Sequence, residues 1–141
     1  ELAFTGESGN AFSWQAVAVG DACLFHTRQE SLLRAFPLEQ SEQFDNFPVL
    51  IGSHSPPESV REKQSHWSDG HGYAGDRLWM MTDALAHWCL SSIESGRNPW
   101  RQLHSIISQP DPQDAFVTWI DSLRDCNQLR NDDVTLMLIE L

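Results

Sequence analysis

Hydrophobic and polar positions alternate from Phe12 to Arg28, FSWQAVAVGDACLFHTR, in two short runs rich in Val, Phe and Trp that Gly20-Asp21 separates. A period of two marks a half-buried strand, and a Gly-Asp break between two such runs predicts a β-hairpin. Residues 32–36, LLRAF, are expected to pair with it. A second Gly-Asp, Gly75-Asp76, introduces the strand-like RLWMMT, and the closing VTLMLIEL reads as a strand that ends in the interior of the fold.

Helical spacing takes over between these strands. Thr82-Asp83 precedes ALAHWCLSSI, in which Leu85, Trp88, Cys89 and Ile93 share one face and His87 is expected to point outward; Gly96 follows as a C-terminal stop. From Asp114 to Arg124, Phe116, Val117, Ile120 and Leu123 repeat in the same way, with Asp111 as a cap and Pro112 suited to the first turn. A shorter helix is expected over Pro99–Ile107. Residues 53–74 hold Pro56-Pro57, three of the six His and a Ser/Asp/Gly cluster without periodicity, which predicts a long loop. The order of strands, loop, strand, helices and strand gives an α+β fold with a mostly antiparallel sheet.

Length and charge narrow the function. A chain of 141 residues makes one modest domain, and 9 Lys+Arg against 20 Asp+Glu, a net charge of −11, disfavours nucleic acid and anionic membranes as partners while favouring cations. No apolar run approaches the roughly 18 residues of a membrane span, and no export signal leads the chain, so the expected location is the cytoplasm. Cys23, Cys89 and Cys126 are odd in number and widely spaced, which argues against a disulfide framework or a thiolate zinc site and for small buried hydrophobes. Trp14, Trp79, Trp88 and Trp119 fall on faces expected to fill a core.

Three segments in this order, AVGDACLF, GDRLWMMTDALAHW and LRNDDVTLMLIEL, resemble the second half of PP2C-type, metal-dependent Ser/Thr protein phosphatases. The resemblance runs from about Trp14 to Leu141 and implies a layered sandwich of two mostly antiparallel sheets flanked by helices. It makes residues 1–141 the C-terminal part of one domain; the chain opens at Glu1 rather than Met, and an upstream N-terminal half is expected. Two departures are Ala22, where the family has Ser after Gly-Asp, and Ala84, where it has Gly after Thr-Asp.

The matched carboxylates make chemical sense at their places. Asp83 lies where an apolar strand meets a helix N-terminus, whose dipole favours an anion, and Asp132 opens the last strand. Two carboxylates at neighbouring strand ends suit one hard cation, Mg²⁺ or Mn²⁺. Taken singly, Asp83 equally suits a helix cap and Asp132 a turn. The resemblance makes Asp83 and Asp132 metal ligands, with Asp133, Thr82 and Thr135 supporting them from behind. Asp69-Gly70-His71-Gly72 spells another motif of the family at the wrong place in the chain and is expected to be a turn; His66, Asp69 and His71 lack a further zinc ligand at suitable spacing.

The implied activity is hydrolysis of a phosphomonoester on a phosphoprotein by a metal-activated water, with two ions in a complete domain. Asp83 and Asp132 would share one ion, held weakly, so this chain alone is expected to be inactive and to pair with the missing half or dimerise. The alternative is a catalytically dead, phosphatase-like module that binds a protein partner in a kinase pathway; Ala22 and Ala84 point that way.

Overall fold

The computed structural model describes residues 1–6, 11–44 and 66–141. Seven strands are described in two antiparallel sheets. The first sheet is ordered β1 (Leu2–Gly6), β2 (Ala11–Ala18), β5 (His66–Tyr73). In the second the order is β4 (Ser31–Phe36), β3 (Cys23–Arg28), β6 (Asp76–Met81), β7 (Leu136–Glu140). Helices α1 (Asp83–Glu94), α2 (Pro99–Ile107) and α3 (Pro112–Asp125) lie between β6 and β7 in the chain. The α+β expectation with two antiparallel sheets and flanking helices therefore holds.

Period-two alternation builds three layers. On the second sheet Phe25, Trp79 and Met81 pack with Leu85, Trp88, Trp100, Leu103, Ile120 and Leu123 of the helices. Their neighbours Leu24, Leu78 and Met80 turn the other way and join Trp14 and Ala16 of the first sheet. Both faces of this sheet are covered, so its strands read as nearly continuous apolar runs. The helices end as their sequences direct: Asp111 accepts a hydrogen bond from the Asp114 amide ahead of Pro112, and Gly96 takes φ +73° just beyond α1.

Four expectations are corrected. The runs around Gly20 do not form a hairpin: β2 is flanked by β1 and β5, and β3 by β4 and β6, so each has both edges filled and Gly20 turns the chain from one sheet to the other. Strand β3 pairs instead with the following β4, turning at Gln29 with φ +55°. Residues 66–73 of the expected loop form β5, paired with β2 over its whole length; residues 53–65 lie outside the described residues. The last strand is the outer one of its sheet, with Met137 55% exposed, rather than an interior one. Cys126 is exposed, unlike buried Cys23 and Cys89. Of the tryptophans placed in the core, Trp14, Trp79 and Trp88 are buried and Trp119 is partly so. No described helix is long and apolar enough to cross a membrane.

At the Asp76 end of β6 the sheets meet around a charge. The Asp76 carboxylate, 1% exposed, accepts from Arg28 Nε (2.7 Å) and Nη2 (3.0 Å) and from the Tyr73 amide (2.9 Å), and lies 3.0 Å from His26 Nε2. Its backbone carbonyl accepts from the Leu141 amide, which ties the end of the chain to the same knot. Burial pushes the Asp76 pKa up, but Arg28, the Tyr73 amide and His26 together outweigh it and bring it down to about 2.

Candidate functional site at the Thr82 end

The other end of β6 runs into α1 at Thr82. Thr82 takes extended backbone angles and is the residue at which the helix begins, yet its hydroxyl does not cap the helix. Its Oγ1 instead donates to the Asp133 carbonyl (3.0 Å) and accepts from the Thr135 amide (3.0 Å), while the Thr82 amide donates to the Thr135 carbonyl (3.3 Å). One threonine thus fastens the approach to β7 onto the β6–α1 junction.

This tether brings the sequence-marked residues to one corner. Asp83 is the first residue of α1, where the orphan amides and the dipole favour a carboxylate. Asp132 lies in the bend four residues before β7 rather than opening it, because the chain must first cross from the end of α3. Its Oδ1 accepts from the Asp133 amide (2.8 Å), and its carbonyl accepts from Arg124 Nη2 of α3 (2.6 Å). Asp133 enters through its backbone. Thr135 lies just outside the strand and is held through its amide, so Thr82, and not Thr135, supplies the tethering hydroxyl.

Two arginines belong to this corner and were missed in the sequence reading. Arg124 anchors the Asp132 bend to α3, and Arg130 Nη2 lies 3.4 Å from Asp83 Oδ2. The signal for Arg130 was its position two residues before Asp132; for Arg124 no local signal exists, since only the packing of α3 brings it there. His87, one turn beyond Asp83, does not point freely outward but packs edge-on against Phe44, with ring centroids 5.7 Å apart. Burial, and then Arg130, push its pKa down.

The histidines of β5 do not gather. Alternation sets Asp69 and His71 on one side of the strand and His66 on the other, and His71 Nδ1 lies 3.2 Å from Ser13 Oγ. Asp69-Gly70-His71-Gly72 is strand rather than the expected turn, and Gly70 is needed there because a Cβ would stand 2.5 Å from the Trp14 ring. Among the described residues no group of three or more His, Cys, Asp or Glu comes together.

No protein-family model and no curated protein matches the chain.

The corner carries two carboxylates, and a hard divalent ion of the Mg²⁺ type takes one or two of these and keeps most of its waters. Asp83 and Asp132 are the side chains that would hold it. In this structure the guanidinium of Arg130 stands beside Asp83. Its 3.4 Å separation is longer than the 2.7–2.9 Å of a strong charged hydrogen bond, and the Arg130 side chain is 39% exposed, which makes this a weak surface pair.

Proposed function

We propose that this chain supplies one half of a PP2C-type metal-dependent phosphatase centre acting on phosphoserine or phosphothreonine in proteins. The observation that carries this reading is the Thr82 tether, which holds the residues around Asp132 against the helix end that bears Asp83. A Mg²⁺ or Mn²⁺ ion bound there would supply charge for the phosphoryl oxygens and a more acidic water. Asp83 and Asp132 would hold it through their carboxylates, while Asp133 and Thr135 fix the bend through their backbone and Arg124 holds that bend to α3. Other acidic groups, from a further polypeptide segment, complete the ligand set.

In a longer polypeptide that carries such acids, Mn²⁺-dependent hydrolysis of p-nitrophenyl phosphate is expected. Changes behind metal ligands alone cost 10- to 100-fold, so Asp83→Asn or Asp132→Asn should lower the rate by about 100-fold or more. Hydrolysis that ignores both substitutions would sink the proposal.

A second reading, a phosphatase-like module that binds a signalling protein without catalysis, is favoured by the Asp83–Arg130 pair, since a guanidinium in place of an ion needs no metal. A full-length protein that binds no divalent metal would select it.

A further inference from the structure

A cavity of about 300 Å³ opens at the same end of the sandwich, where strand ends of both sheets part. All three methionines of the chain, Met80, Met81 and Met137, line it together with Cys23, and the small side chains of Ala16 and Ala18 make the room. This convergence does not follow from local sequence, since Met137 reaches the cavity only through the β6–β7 register, where it stands opposite Met80.

We infer that this cavity is a binding site for an uncharged, two-ring aromatic molecule. The size is decisive first: an apolar cavity of roughly 150 Å³ stays dry and takes benzene, so one of about 300 Å³ suits a fused pair of rings. The wall decides the chemistry. The Thr82 hydroxyl at its edge is spent on Asp133 and Thr135, and the Glu1 backbone nitrogen and carbonyl on Val17, which leaves the Thr135 hydroxyl and the Glu1 carboxylate, a group that disfavours an anionic ligand, as the side-chain polar groups of the lining. The wall is otherwise mostly apolar, so a ligand gains chiefly from apolar area and contact with sulfur, which favours aromatic rings. The Cys23 thiol takes part only as an apolar wall, since burial holds it protonated.

The three methionine methyl groups report on the whole cavity. With the full chain labelled at the methionine methyl carbons, titration with indole should move all three resonances along one saturable curve, and benzoate, similar in apolar surface but charged, should leave them unmoved. Ala18→Leu, which fills space at a half-buried position, should weaken indole binding by about tenfold or more. Ala16→Val provides a second filling variant, and unchanged thermal unfolding of either shows that the fold survives. Three unmoved signals at millimolar indole would overturn the inference. So would equal affinity in both filled variants, or methionine signals that shift with protein concentration alone, which would mean that a second copy occupies the cavity.

Discussion

The two ends of β6 solve the contact between the sheets in opposite ways. At Asp76 a buried carboxylate draws Arg28, His26 and the Tyr73 amide onto itself, and the end of the chain is tied to the same residue. At Thr82 the joint is made by the neutral hydrogen bonds of one threonine, Asp132 is exposed and Asp83 half-buried beside Arg130, and the space between the sheets is an apolar cavity. A carboxylate whose oxygens are all engaged serves stability. One held in place by its backbone, with side-chain oxygens to spare, can serve a ligand. Position within one strand thus separates the structural acid from the candidate functional ones.

The largest effect should come from breaking the knot. Asp76→Asn keeps the shape but removes the charge that satisfies Arg28 and His26, and is expected to cost about 3 kcal/mol in urea unfolding. A cost below about 1 kcal/mol would show that the knot does not lock this end. Gly70→Ala presses a methyl group on the buried Trp14 ring and should cost up to about 3 kcal/mol. Gly72→Ala clashes with the tip of the flexible Leu141 side chain and otherwise meets Asp76 and His26 at ordinary contact distance, so it should cost clearly less. Equal costs would mean that the packing of β5 on Trp14 is not what these glycines serve.

Acid tests the same knot through its charge. Because the folded Asp76 pKa lies at about 2, below the ordinary 3.8, its contribution is complete above about pH 4 and lost as pH falls toward 2. That contribution is about 2 kcal/mol. The stability gap between wild type and Asp76→Asn should therefore narrow by this amount between pH 5 and pH 2, and a gap independent of pH would contradict the assignment.

Much of this architecture was legible in residue order. The three helices and strand β6 follow from apolar spacing, caps and the Gly75-Asp76 break, all local signals. What failed was pairing. Nothing near Gly20-Asp21 tells the chain that β1 and β5 will claim both edges of β2, and the β3–β4 hairpin turns at Gln29 with no glycine to mark it. Strand β1 was not anticipated, and β5 was hidden because Gly70 and Gly72, chosen for close packing, look like turn residues. At the site, Asp83 and the Asp132 bend were visible as acids beside apolar runs, whereas the Thr82 tether and the two arginines depend on contacts across 8 to 53 residues of sequence.

On the reading proposed above, Asp83 and Asp132 act on one ion. Electron paramagnetic resonance of Mn²⁺ titrated into the chain, with Mg²⁺ as competitor, tests it directly. One weak, Mg²⁺-displaceable site is expected, lost in Asp83→Asn and equally in Asp132→Asn, and tighter in Arg130→Ala as the competing guanidinium is removed. Binding that survives either carboxylate substitution, or is absent from wild type and Arg130→Ala alike, would contradict it.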